Sequence, residues 1–241
     1  MSNHEVVNKA DHQHVKINRG TSQELVGQQF FSVTFPWEFR SLQGEYPLFF
    51  HHDVELNSLL PVALHGFESG SNLFIQDGKW QANYLPLMVQ RQPFLIGQQT
   101  VEENGESKPQ RVVLLDTKSP RVNQEDGVAL FDEHGGQSQY LQQVADMLET
   151  IHHGLNDAQR FVAKLTELNL IEPVTLSITL ADGNKHEMVG LHTINEDRLN
   201  ELNDDQLKDL YKSKDLAAIY YICASHSQVK RLIEFKNQQL G

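Results

Sequence analysis

Trp80, Tyr84 and Arg91 fall within twelve residues, just past an Asp77-Gly78 pair, and Tyr46 precedes a short apolar run. Two large amphipathic rings and one guanidinium supply apolar area and a fixed charge, the mixture that small-ligand pockets use. Tyr46 joins them if its strand neighbours the hairpin at Asp77-Gly78. The competing expectation is that Trp80 and Tyr84 plug the end of a sheet while Arg91 pairs with a carboxylate. At least three of the four must line one cavity for the ligand site to stand.

A second constellation is His51-His52-Asp53. On a strand, the period of two places His51 and Asp53 on one face, which is how a two-histidine, one-carboxylate iron site begins. The third ligand would come from His134, His186 or His192. The plainer reading is the polar end of a strand. His152 and His153 are adjacent on a helical pattern, about 100° apart, and suit a solvated face. Asp116 and Asp132 each follow a predicted strand, where carboxylates line clefts or accept backbone N–H groups in turns.

No phosphate-binding loop, dinucleotide turn, nucleophile elbow or zinc-protease helix occurs in the chain. The residues therefore favour a non-catalytic binding or accessory protein with no cofactor, whose partner is a small molecule or another protein. The alternative is an iron-dependent oxygenase using His51 and Asp53.

The elements that must position these groups are legible in outline. Phe30–Thr34, Tyr46–Phe50, Leu60–Leu64, Asn72–Ile75 and Phe94–Gly97 carry strand-like apolar runs. Asp77-Gly78 marks a tight hairpin, since such turns need φ > 0. Pro36 to Gly44 reads as a short helix, with Glu38 complementing its positive end. Glu102 to Gln110 reads as a polar loop. Arg111–Asp116 follows as a strand buried on both faces, and Val128–Phe131 as another. Apolar residues from Leu141 to Leu168 recur every three or four positions, predicting one long amphipathic helix over about 138–169 with a kink expected at Gly154. Val174–Leu180 and His186–Thr193 form a second hairpin. Helices capped by Asn195, Asn203 and Asp215 close the chain, the last running to about Gln238. The fold class is α+β: an antiparallel or mixed β-sheet from residues 30–131, extended by the 174–193 hairpin, with the long helix on one face and a helical C-terminal segment. Residues 1–28 read as a polar N-terminal arm and 29–241 as one domain.

The 241 residues hold 20 Lys and Arg against 32 Asp and Glu, a net charge of −12 that repels phosphate backbones and anionic lipid. No nucleic-acid partner and no membrane insertion are expected, because no apolar stretch reaches the ~20 residues a spanning helix needs. The one cysteine, Cys223, cannot form an internal disulfide and lies in an apolar helical pattern, which suits a buried inert thiol. Met-Ser-Asn-His-Glu-Val-Val lacks signal-peptide features, so a cytoplasmic location is the expectation.

Several fragments, in order, carry a family resemblance. They are Glu38-Phe39, Glu45-Tyr46-Pro47, Pro61-Val62-Ala63-Leu64, Gly78-Lys79-Trp80, Arg91-Gln92-Pro93-Phe94, Leu115-Asp116, Leu130-Phe131-Asp132, Glu172-Pro173 and Ala181-Asp182-Gly183. Over about residues 12–235 this set resembles the SapC-like family of bacterial proteins. The resemblance implies a surface-layer association, or a place beside flavin-dependent halogenases and outer-membrane receptors. It carries no catalytic residue set. His51-His52-Asp53 and Ser225-His226-Ser227-Gln228 depart from the family pattern.

Overall fold

A computed structural model describes residues 3–53, 57–103 and 106–240. The chain forms two compact units, one from residues up to Leu25 together with Leu87–His153, the other from Val26–Pro86 and Gly154–Gly241.

In the first unit, the strands His4–Val6, Glu106–Asp116 and Phe94–Glu103 form an antiparallel sheet with Glu106–Asp116 in the centre. The pairing sets His4 opposite Asp116 and Phe94 opposite Leu115. The stretch read as a polar loop, Glu102 to Gln110, is the outer part of this ribbon; residues 104–105 lie outside the described ones. Gln99 pairs with Gln110 and Thr100 with Pro109, all four side chains exposed, so no alternation of apolar and polar residues betrays the strand. Nor is Arg111–Asp116 buried on both faces: Arg111 is exposed, and Leu115 is the residue of that run that is fully buried. Lys16–Ile17 pairs with both Val122–Asn123 and Val128–Ala129, and Ile17 sits in a core with Phe94, Leu115, Leu130, Leu141, Val144 and Leu148. Residues read as an arm thus supply two strands and a core side chain.

The second unit holds a five-stranded antiparallel sheet in the order Ile171–Thr179, Lys185–Ile194, Leu48–Asp53, Ser58–Leu64, Phe31–Val33. The 174–193 hairpin does extend the sheet begun near residue 30, as the sequence predicts. The strands from 94 to 131, expected in that same sheet, belong instead to the first unit's sheets. Consecutive side chains of one strand point to opposite faces. Phe50 stacks on Phe161 at 6.4 Å, whereas Phe49 stacks on His226 at 4.7 Å, so helical residues cover both faces.

The long helix runs Gln139–Glu167, with residues 139–153 in the first unit and 154–167 in the second. Ser138 starts it: its Oγ accepts the Leu141 N–H at 3.2 Å. The predicted stripe is buried at Leu141, Val144, Leu148, Ile151, Ala158, Phe161 and Leu165. Gly154 is there for close approach, since a Cβ would stand 2.6 Å from the Phe35 ring.

The C-terminal helices begin as read at Asn195, which accepts Arg198 N–H, and at Asn203, which forms a capping box with Gln206. The last predicted helix is two, Asp215–Ser225 and Val229–Leu240, joined by a tighter turn over His226–Gln228. Asp215 is the first helical residue rather than a cap. Its carboxylate turns inward to Arg160, whose two terminal nitrogens donate at 2.8 and 2.7 Å.

Candidate functional site

The Asp77-Gly78 turn forms as its sequence demands, with φ of 49° and 72° at the two residues. It sets Trp80 opposite Ile75 and delivers the indole to Tyr46. Trp80 Nε1 donates to the Tyr46 hydroxyl at 2.7 Å, and that hydroxyl donates to the Tyr84 carbonyl at 2.5 Å. Tyr84 in turn donates to Glu38 Oε1 at 3.0 Å, and Thr34 Oγ1 donates to Glu38 Oε2 at 2.6 Å. Glu38 is fully buried and stands at the start of the short Phe39–Leu42 helix, where it makes no side-chain cap hydrogen bond. Glu45 accepts the backbone N–H groups of Asn83 and Tyr84, which fixes the loop that brings Tyr84 back.

The rings of Phe74, 4.5 Å from Tyr46, and His65, 5.2 Å from Trp80, complete the cluster. Burial raises the pKa of Tyr46, and burial followed by the Glu38 carboxylate raises that of Tyr84. Burial drives the His65 imidazole down to about 3. All three groups are therefore neutral at neutral pH; the two tyrosine hydroxyls are engaged within the cluster, and His65 Nε2 lies 3.1 Å from the Ser32 hydroxyl. Tyr46, Trp80 and Tyr84 come together as a bonded aromatic cluster. Arg91 is in the other unit. Glu38, His65 and Phe74 were not legible as members, because contacts between residues 30 to 80 depend on strand pairing rather than on local spacing.

His51 and Asp53 share a face of the Leu48–Asp53 strand, and His51 packs 5.0 Å from the Phe31 ring. The register sets Leu191 opposite His51 and His192 opposite Phe50. Paired residues share a face, so His192 shares its face with Phe50 and His52, away from His51. Burial, then the neighbouring His52, lowers the His192 pKa. His186 pairs with Ile178 farther along the hairpin, and His134 belongs to the other unit. Within the second unit, neither His186 nor His192 joins His51 and Asp53. Among the described residues no group of three or more His, Cys, Asp or Glu could hold a metal ion. Cys223 is half-buried, and burial pushes its thiol up to about 11, leaving it protonated and unreactive.

Arg91 follows the short Leu87–Gln90 helix and lines an open cleft of about 480 Å³ within the first unit. His4, Lys118, Ser119 and Asp116 are on the same walls, with Pro93, Leu95 and Pro120 as the apolar part. The half-buried guanidinium donates from Nη1 to the Phe94 carbonyl at 2.7 Å, which is its one side-chain hydrogen bond among the described residues. Burial lowers its pKa, and among the described residues no carboxylate offsets that effect. Asp116 Oδ1 accepts the N–H groups of Asn3 at 3.1 Å and Lys118 at 3.2 Å, so it both lines the cleft and holds the turn. Asp132 is a turn carboxylate: it accepts His134 N–H at 2.9 Å and Gly136 N–H at 2.8 Å, and the Gly136 bond leads in lowering its pKa.

A family model, SapC, matches residues 7–232. The chain belongs to the SapC family. The match to SapC takes in the aromatic cluster and all of the cleft's lining except His4. Among curated proteins and solved structures compared with the chain, none matches. Among the described residues, no helix is long and apolar enough to cross a membrane.

Proposed function

We propose that the protein is a non-catalytic binding protein whose Arg91 cleft takes a small organic carboxylate. The observation that carries this is the half-buried Arg91 guanidinium, which spends one of its five N–H donors on Phe94 and, among the described residues, has no carboxylate at salt-bridge distance. A charge withdrawn from water and left unpaired is costly, and a bound anion offsets that cost. The cleft lining holds two cations, Arg91 and Lys118, against one carboxylate, Asp116, so it runs against the chain's net −12. Pro93, Leu95 and Pro120 provide the apolar surface for a carbon skeleton.

Two groups that could act as nucleophile or base, Ser119 and Asp116, are engaged in holding the chain. Ser119 Oγ accepts Arg121 N–H at 3.3 Å, and Asp116 accepts its two backbone donors. Binding without chemistry suits an accessory role beside an uptake receptor or a flavin-dependent halogenase, the setting that the family resemblance implies.

Titration calorimetry with aliphatic and aromatic carboxylates, and with inorganic phosphate, tests the reading. Carboxylate binding should weaken about tenfold or more in Arg91→Met, since a charge-assisted hydrogen bond is worth about 1.5–3 kcal/mol. Arg91→Lys should recover part of the loss. Equal affinity in the wild type and Arg91→Met, or no carboxylate heat at millimolar concentration, would sink the proposal. A preference for phosphate would replace the carboxylate by another anion.

A further inference from the structure

The second unit carries a different kind of surface at the corner between its Asp204–Lys212 and Asp215–Ser225 helices. Tyr211 and Tyr220 are 74% and 56% exposed, and with Leu216 and Ala217 they line an apolar groove of about 560 Å³. Large aromatic side chains this exposed mark contact surfaces when they are grouped, whereas single ones need no explanation. Tyrosine is also among the residues that dominate binding energy at protein interfaces.

The remaining lining residues are Lys212 and Lys214, and no carboxylate joins them. The acids nearest in sequence are committed elsewhere. Asp209 is bound by Lys164, with Lys212 a weaker charge nearby, and Asp215 is buried against Arg160 and Ser213. Lys214 has φ 68°, and this left-handed residue turns the chain so that Asp215 points inward while the lysine stays at the rim. Neither groove lysine has a carboxylate at salt-bridge distance among the described residues. A chain of net −12 thus presents one apolar groove whose charged rim is positive.

We infer that this groove docks a short acidic segment of a partner protein, which inserts an aromatic or aliphatic side chain between Tyr211 and Tyr220 and sets carboxylates against Lys212 and Lys214. Charge selects this occupant over two others. A second copy brings another −12, and an anionic membrane repels the whole chain while two lysines return only about 1 kcal/mol each. A short segment carries few charges, so the local complementarity governs its encounter.

Selection from a random peptide library on the full chain, followed by affinity measurement, tests the inference. Enriched peptides should combine an apolar side chain with an excess of Asp and Glu. They should lose about tenfold or more in affinity for Tyr220→Ser and for Lys212→Glu with Lys214→Glu. These side chains are exposed, and circular dichroism of each variant checks that it folds. Enrichment of neutral or basic peptides, no enrichment, or unchanged affinity in both variants overturns the inference. So does a dimer in sedimentation that Tyr220→Ser abolishes, which gives the groove to a second copy. Phosphatidylglycerol-vesicle binding lost in Tyr220→Ser overturns it in favour of a membrane.

Discussion

The Trp80 indole N–H donates to the Tyr46 hydroxyl at 2.7 Å, and the same hydroxyl donates to the Tyr84 carbonyl at 2.5 Å. One buried oxygen therefore joins the Asp77-Gly78 hairpin to the loop that follows it. Tyr46→Phe keeps the ring but strands a donor on Trp80 and an acceptor on Tyr84. It should cost about 1–3 kcal/mol for each group left buried without a partner, less where water reaches Trp80 or Tyr84, both half-buried. Urea unfolding followed by tryptophan fluorescence measures the loss. A midpoint within error of the wild type would show that the bonds add nothing.

Gly154→Ala sets two effects against each other. Alanine gains about 1 kcal/mol of helix propensity over glycine. The new Cβ would lie 2.6 Å from the Phe35 ring, which is itself buried and has nowhere to go, and overpacking costs about 1–3 kcal/mol. The thermal midpoint should fall. Adding Phe35→Leu should restore part of it, and a raised midpoint in the single variant would contradict the close approach.

Acid should weaken the second unit before carboxylates titrate. His65 has its pKa lowered to about 3 by burial, against 6.5 for a free imidazole, so the unfolded chain binds the proton and the folded one does not. Its contribution is complete above pH 6.5 and is lost as pH falls from there toward 3, at up to about 1.4 kcal/mol per pH unit. Burial also lowers the pKa of His226 and His192, which adds in the same direction. Urea midpoints at pH 7 and pH 5 should differ in the wild type. The difference should shrink in His65→Gln, even though that variant starts less stable.

Arg160→Ala leaves the Asp215 carboxylate, 2% exposed, with Ser213 as its remaining side-chain partner. Breaking a buried pair costs about 3–5 kcal/mol. Arg160 is 47% exposed, so solvent screens part of this and the loss should be nearer 2 kcal/mol. Arg160→Lys should recover only a fraction, because one ammonium cannot make both bonds. Full recovery by lysine would show that charge alone matters here.

Local signals in the sequence determined the elements whose causes are local. The Asp77-Gly78 turn follows from two residues that tolerate φ > 0, and the Gln139–Glu167 helix from an apolar repeat at its own period. The helix starts at Asn195 and Asn203 follow from side chains that bond the first free N–H groups. The grouping of Trp80 and Tyr84 was legible because a single turn places both, whereas Tyr46 joins them through tertiary contact alone, since the Leu48–Asp53 strand after it does not pair with the hairpin. Tertiary structure decided everything that rests on which strands pair. In the ribbon Gln99, Thr100, Pro109 and Gln110 are all exposed, so nothing in this residue pattern marks it as strand. The register between Leu48–Asp53 and Lys185–Ile194 puts His192 away from His51, and a shift of one residue would have reversed that. Pairing of His4 with Asp116, over a hundred positions apart, assembles the Arg91 cleft, whose charged walls lie far apart along the chain. Glu38 lies buried under two hydroxyls, one from Thr34 four residues earlier and one from Tyr84, which the loop held by Glu45 brings back from far along the chain.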